Sequence, residues 1–173
     1  MAILLDILKI TIPALIVFLT VYFLFKGYID GQLKLKAMEL KEKQAAIGTP
    51  LKFQAYERLS LFCERISIPS LLMRLPAGDM NNAQYQIALL LAIQQEYEHN
   101  ITQQVYVSEQ LWSIIKAAKD DVVNFVSIVA EKVNAKGPAE EIKNALISLN
   151  DQREANGPDT ALLAIKKEAA TFL

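Results

Sequence analysis

The sequence is short of cysteine, histidine and net charge, and each shortage excludes a class of protein. A single thiol, Cys63, cannot form an intramolecular disulfide, which excludes a disulfide-stapled secreted domain and suits a reducing compartment. A catalytic cysteine needs a positioned histidine, so Cys63 in LSLFCERI is predicted to be a small core residue. The net charge of −1 gives no overall attraction for nucleic acid, and we predict no nucleic-acid partner.

Motifs of catalysis are missing as well. The chain has no glycine-rich phosphate loop, and no nucleophile, base and orienting group can be placed together from the sequence. Trp112, in SEQLWSII, is predicted to belong to the core. We therefore predict a protein that is not an enzyme, with no catalytic residue, no cofactor site and no metal site.

One long apolar run is present, close to the N-terminus. Residues 10–25 read ITIPALIVFLTVYFLF and carry no charge. As a helix they span about 24 Å of a hydrocarbon core of about 30 Å, and an extension back to Leu4 reaches about 33 Å. This extension contains Asp6 and Lys9, which are expected to pair near the outer interface. Insertion of the run is favoured by roughly 3–7 kcal/mol, so it is predicted to be a transmembrane anchor.

Two other interpretations of this run fit less well. A cleaved signal peptide needs a basic start and small residues at the cleavage site, whereas this run ends in YFLFKGYIDGQ. A core helix of a soluble protein would keep a polar face, and residues 10–25 have none.

Lysines behind the anchor predict its orientation. Cationic residues collect on the cytoplasmic side of a membrane span. We therefore expect a single-pass inner-membrane protein with its N-terminus outside and its C-terminal domain in the cytoplasm. The same side chains are candidates for lipid-headgroup contact, worth up to about 1 kcal/mol each. They are Lys26, Lys34, Lys36, Lys41 and Lys43.

Helix-forming residues dominate the rest of the chain, and sustained strand alternation is absent. The predicted fold class is all-α, with one N-terminal transmembrane helix followed by a multi-helix cytoplasmic domain. We assign residues 1–25 to the anchor, 26–47 to a basic juxtamembrane helix and 48–173 to the helical domain. Gly48-Thr49-Pro50 is expected to end the juxtamembrane helix and start the next one. Further helices are expected near 80–106, 109–134, 138–155 and 159–171. Asp79, Asn81 and Asn82 are candidate caps for the first of these, and Ser108 is the expected cap of the second.

The segment QQEYEHNITQQ, residues 94–104, combines charged, amide and imidazole groups. On a helical projection, Glu98 lies in the middle of an apolar face. This face is formed by Ile87, Leu90, Leu91, Ile101 and Val105. A buried carboxylate costs several kcal/mol unless it is paired. We therefore predict a structural ion pair between Glu98 and Arg58 or Arg65.

The opposite face of this helix holds candidate interaction residues, and three interpretations of it stay open. They are a solvated surface, a hydrogen-bonded contact to another helix, and half of a di-metal centre. The candidates on this face are Glu96, His99, Asn100 and Gln103, and Gln104 beside them is a further interaction candidate. Glu96 and His99 have the i,i+3 spacing of di-metal helical bundles. The chain has one histidine, so a symmetric dimer would be needed to complete such a centre.

Two segments, QAYERLSLFCERI and EYEHNITQQVYVS, carry a family resemblance together with the anchor. With them the chain resembles an uncharacterised family of short bacterial membrane proteins with one span, over most of its length to about Trp112. The most specific part is an EHNxxQQxYxS-type segment, residues 98–108. The resemblance implies a bacterial inner-membrane protein with a helical cytoplasmic domain, and it transfers no catalytic residue.

Three functions are compatible with these features. The first is a non-enzymatic accessory or scaffold subunit of a larger membrane complex, whose anchor packs on a partner span through Thr11, Pro13 and Thr20. The second is a metal-dependent enzyme or redox protein that uses Glu96 and His99 in a dimer. The third is a lipid-surface binding module built on the lysine-rich helix. The expected partners are the bilayer and other membrane subunits, and a homo-oligomer is compatible with all three.

Overall fold

Helices account for all the regular structure in the part of the chain that the structure describes. The computed structural model describes the backbone of residues 2–172 and the side chains of residues 12, 15–43, 46 and 48–172. The helices are α1 (Ala2–Ile66), α2 (Ile68–Arg74), α3 (Asn82–Asn100), α4 (Glu109–Ala130), α5 (Ala139–Asn150) and α6 (Gly157–Ala169). Short 3₁₀ helices follow α3 (Ile101–Val105) and α6 (Ala170–Phe172). The predicted all-α class is confirmed.

The chain divides into two compact units, which are described separately. They are the N-terminal unit, Met1–Gly48, and the C-terminal unit, Thr49–Leu173. Within the described residues, one helical stretch, Leu15–Ile66, is long and apolar enough to cross a membrane. The most apolar part of this stretch is not buried by any other part of the described chain. The large apolar side chains from Leu15 to Phe25 are exposed by 43% (Leu19) to 69% (Leu24).

Several predictions for the anchor concern side chains outside the described residues. These are the Asp6–Lys9 pair and the packing roles of Thr11 and Pro13. Thr20 is described, and its hydroxyl donates to the backbone carbonyl of Ile16 at 2.8 Å. The hydroxyl is therefore satisfied inside its own helix and does not need a neighbouring span.

The predicted helix break at Gly48-Thr49-Pro50 is wrong, because all three residues are helical and lie within α1. A proline fixes φ near −65°, which is a helical value, although within a helix it removes one backbone donor and crowds the carbonyl four residues earlier at a cost of about 3 kcal/mol. The helix nevertheless continues through Pro50 and ends at Ile66, one residue before the Ser67–Ile68–Pro69 start of α2.

Side-chain caps set the starts of three helices in the C-terminal unit. Asn81 and Gln84 form a reciprocal capping box at α3, with bonds of 2.9 and 3.1 Å. The Ser108 hydroxyl accepts from the backbone N–H of Leu111 at 3.1 Å and starts α4, which confirms the predicted cap. Asn156 caps α6 by accepting from Asp159 N at 2.8 Å.

One hydrophobic core runs through the C-terminal unit. Cys63 lies in this core with no exposed surface, and Trp112 is 8% exposed, as the sequence predicted. Trp112 stacks on Tyr97 with ring centroids 5.8 Å apart. The largest fully buried apolar side chains are Leu59, Phe62, Ile66, Leu71, Tyr85, Leu89, Ile93, Leu111, Ile115, Ile142, Leu146 and Ile165.

Besides apolar packing, a close backbone approach and a hydrogen-bonded asparagine hold helices of the C-terminal unit together. Gly157 lies so near α4 that a Cβ on it would fall 2.8 Å from the Ala118 Cα, so only glycine fits there. Asn82, 1% exposed, donates to the Asn134 carbonyl at 2.7 Å and to the Glu141 carboxylate at 3.0 Å. Its side-chain oxygen accepts from Ile142 N at 3.2 Å, so one amide joins α3 to the α4–α5 loop and to α5.

Candidate functional site

The buried carboxylate of the C-terminal unit belongs to Glu96, in the last turns of α3. Glu96 is 9% exposed and lies on the same helical stripe as Leu89 and Ile93. Positions 89, 93, 96 and 100 repeat at intervals of four and three, which keeps them on one face of a helix. This face is turned towards the core, so the polar side chains at its C-terminal end are buried with it.

Two arginines neutralise the Glu96 carboxylate. Arg74 Nη1, from α2, lies 2.7 Å from Glu96 Oε1. Arg65 Nη1, from α1, lies 3.2 Å from Oε1 and 3.3 Å from Oε2. Arg74 also donates to the Arg65 backbone carbonyl at 2.8 Å. The three residues therefore tie α1, α2 and α3 together through charge-assisted hydrogen bonds.

A small pocket of about 150 Å³ opens beside this ion-pair cluster. Its lining includes Arg58, Arg65, Glu96, His99 and Asn100. The Arg58 guanidinium donates to the His99 backbone carbonyl at 3.2 Å, which satisfies an acceptor at the negative end of α3. The Asn100 side chain, 7% exposed, donates to the Glu96 carbonyl at 2.8 Å. These polar groups therefore bond mainly to one another and complete the C-terminal end of α3.

The predicted ion pair of Glu98 with Arg58 or Arg65 is wrong. Glu98 is exposed and accepts from the Gln94 side chain of its own helix at 2.8 Å. The prediction failed because α3 carries apolar residues around its circumference, and the projection chose the wrong face. Ile87 and Leu91, which defined the predicted buried face, are each 57% exposed. Arg65 forms an ion pair with Glu96 instead.

The five interaction candidates are divided between core and surface. Glu96, Asn100 and Gln103 are buried, which corrects their assignment to a face away from the core. His99 and Gln104 are exposed. Of the three interpretations left open, a hydrogen-bonded contact to other helices describes Glu96, and both of its carboxylate oxygens bond to arginine. Among the described side chains, no three acidic, histidine or cysteine residues group as metal ligands would.

A second polar cluster, which the sequence did not suggest, surrounds Glu168 of α6. Its carboxylate accepts from the Tyr56 hydroxyl at 3.1 Å, from Ser108 N at 3.0 Å and from the Ser108 hydroxyl. Burial, followed by the hydrogen bond to Glu168 and its charge, raises the pKa of Tyr56 from 10.0 to about 12. The cluster joins α1, α4 and α6. Tyr56 and Glu168 are 112 residues apart, so no local pattern could have revealed it.

Cys63 is chemically protected. Burial, assisted by the charge of Glu64, raises the pKa of the thiol to about 12, so the reactive thiolate is scarce at neutral pH. The side chains assigned to lipid-headgroup contact are all exposed on α1. They are Lys26, Lys34, Lys36, Lys41 and Lys43.

Comparison with known proteins identifies a family. No curated protein and no solved structure matches this chain. A family model described as a family of unknown function matches residues 2–172, nearly the whole sequence. The chain therefore belongs to this family of unknown function, DUF7935.

Proposed function

We propose that this protein is a membrane-anchored, non-enzymatic accessory or scaffold subunit of a larger bacterial inner-membrane protein complex. The observation that carries the proposal is the uncovered apolar surface of α1 between Leu15 and Phe25. Water would solvate this surface at a cost of about 25 cal/mol per Å², which a bilayer removes. A core helix of a soluble protein would pass the same test of length and composition, but it would be mostly buried.

The lysines of α1 support a cytoplasmic C-terminal unit. Five lysines follow the apolar segment within residues 26–43, whereas residues 1–25 contain only Lys9. This bias favours an N-terminus outside and a C-terminus inside. A reporter that is active only outside the cytoplasm, fused after Leu173, should be silent. Strong activity would reverse the proposed topology.

The polar groups of the C-terminal unit favour a scaffold over an enzyme. Glu96 is held by two arginines, and Glu168 is held by Tyr56 and Ser108. Among the described residues, no buried side-chain nitrogen or oxygen lacks a hydrogen-bond partner. Such groups support the packing of helices, and a scaffold needs that rigidity to present a defined surface.

Paired lysine substitutions test the anchor. Val17→Lys combined with Val21→Lys puts two charges in the centre of the apolar segment, at a cost of about 6–8 kcal/mol against an insertion energy of roughly 3–7 kcal/mol. The variant should leave the membrane fraction and become extractable by alkaline carbonate. Ile87→Lys combined with Leu91→Lys is the matched control, because these side chains are also four apart and similarly exposed. Normal membrane retention of the first variant would refute the anchor.

Co-purification in mild detergent tests the subunit role. The native protein should bring down defined membrane proteins in fixed proportion. Replacing residues 10–25 with a plain leucine-rich span keeps attachment but removes the native packing surface. Loss of partners at normal abundance would assign the interaction to the anchor, and unchanged recovery would assign it to the C-terminal unit. Recovery of the native protein without any partner would overturn the subunit proposal.

A further inference from the structure

An apolar groove of about 530 Å³ lies between α2 and α5 on the C-terminal unit. Ile68 and Leu72 of α2 line it and are almost fully buried, whereas Met73 is 85% exposed. Ile147 of α5 lines the other side and is 43% exposed. Methionine is flexible and polarisable, and such side chains are frequent at surfaces that bind other proteins. The groove therefore has the character of an uncovered interface.

The charges along the groove are arranged symmetrically about Ile147. Lys143 and Asp151 also line it, and each is four positions from Ile147. Residues at this spacing share one face of a helix, so the three side chains form a line about 12 Å long. The line has a positive end, an apolar centre and a negative end.

The charges of Lys143 and Asp151 both lie where an antiparallel second copy of α5 would stabilise them. Asp151 is the C-terminal cap residue of α5, where the helix dipole disfavours a carboxylate. The ion pairs among the described residues do not include Asp151. Lys143 bonds to Glu140 at 3.1 Å, and its ammonium group has further donors. An antiparallel helix would bring a positive dipole end and a lysine towards Asp151.

We propose that this groove is the interface of a homodimer in which α5 packs antiparallel against α5 of a second copy. A two-fold axis at Ile147 pairs the two isoleucines and sets Lys143 against the partner's Asp151 twice, because the two positions are equally distant from the axis. Met73 adds apolar surface at the rim. The charges select the antiparallel register, and the apolar centre supplies the attraction.

Cysteine cross-linking of the full-length protein in mild detergent tests this arrangement. Ile147→Cys places the two thiols at the axis, within reach of each other. Mild oxidation should give a disulfide-linked dimer of twice the chain mass. The parent protein is one control, because its only thiol is the buried Cys63. Leu163→Cys is the second, since this residue is 68% exposed on α6 and does not line the groove. Cross-linking no greater than that of Leu163→Cys overturns the proposal.

Charge exchange distinguishes a second copy from another partner. In the Ile147→Cys background, Lys143→Asp or Asp151→Lys alone sets like charges against each other and should lower the dimer yield about tenfold. The double exchange restores opposite charges in a homodimer and should recover the yield. Failure of the double exchange to recover it, or a disulfide to a protein of different mass, overturns the homodimer. Circular dichroism of each variant verifies that its helices are retained.

Discussion

Replacing Glu96 with glutamine removes one charge from the ion-pair cluster while keeping the size of the side chain. The carboxylate holds Arg65 and Arg74 with contacts of 2.7–3.3 Å, and glutamine leaves both guanidinium groups without a counter-charge. Breaking a fully buried ion pair costs about 3–5 kcal/mol. The Arg65 and Arg74 side chains are 47% and 36% exposed, so water can solvate them after the change. We therefore expect a loss of about 2 kcal/mol, near the lower end for bonds to charged groups.

The assay is urea unfolding of the full-length protein in detergent, followed by tryptophan fluorescence. Trp112 is the only tryptophan and stacks on Tyr97, the neighbour of Glu96 in α3. It therefore reports directly on the packing of this helix. In a thermal scan, a loss of about 2 kcal/mol corresponds to a decrease in melting temperature of about 8 °C for a unit of this size.

Glu98→Gln is the matched control, since Glu98 is exposed and bonds only to Gln94 among the described side chains. A surface change of this kind should alter the free energy of unfolding by about 0.5 kcal/mol or less. Equal unfolding midpoints for Glu96→Gln and Glu98→Gln would refute the burial of Glu96 between arginines. A greater loss with Glu98→Gln would mean that α3 turns the opposite face to the core.

Three further predictions concern other buried polar groups. Asn82→Ala should lower the free energy of unfolding by about 2–3 kcal/mol, measured by urea unfolding, because it leaves the buried N–H of Ile142 without its partner; an unchanged midpoint would contradict this. The buried thiol of Cys63 should not react with maleimide in the folded protein during an incubation that labels it fully in urea, as measured by mass spectrometry. Rapid labelling of the native protein would show that the thiol is accessible. The neutral Tyr56 phenol is favoured in the folded state, since its pKa is raised from 10.0 to about 12. The raised pKa therefore stabilises the folded state fully below pH 10, and this stabilisation is lost as the pH rises towards 12. Between these pH values, the free energy of unfolding should fall less for Tyr56→Phe than for the parent protein. An equal fall in both proteins would contradict the Tyr56–Glu168 bond.

Local chemistry made the helix starts predictable from the sequence. Ser108 and Asn81 cap α4 and α3 through bonds to residues three positions away, so a short window contains the whole interaction. The end of α3 was harder, because the helix tightens into a 3₁₀ turn at Ile101 and the sequence predicted one helix to about residue 106. At Pro50 the sequence predicted a helix boundary that the structure does not have. Proline is typical of helix starts, but this one lies within the longer helix α1.

The face that α3 buries could not be derived from its own composition. Leu89 and Ile93 are buried, whereas Ile87 and Leu91 on the other side are exposed, so apolar content alone does not distinguish the two faces. What decides between them is the position of the arginines on α1 and α2, which satisfy Glu96. That information is tertiary, because Arg65 and Glu96 are 31 residues apart.

The separation of 112 residues between Tyr56 and Glu168 has a consequence for the order of folding. Closing a loop of this length costs conformational entropy before the contact returns any energy, so contacts between such distant segments form late. The start of α4 and the Tyr56 hydroxyl both bond to the carboxylate of Glu168. Until α6 docks, the faces of α1 and α4 that it covers stay open to solvent, and a partly folded chain presents them to chaperones and proteases.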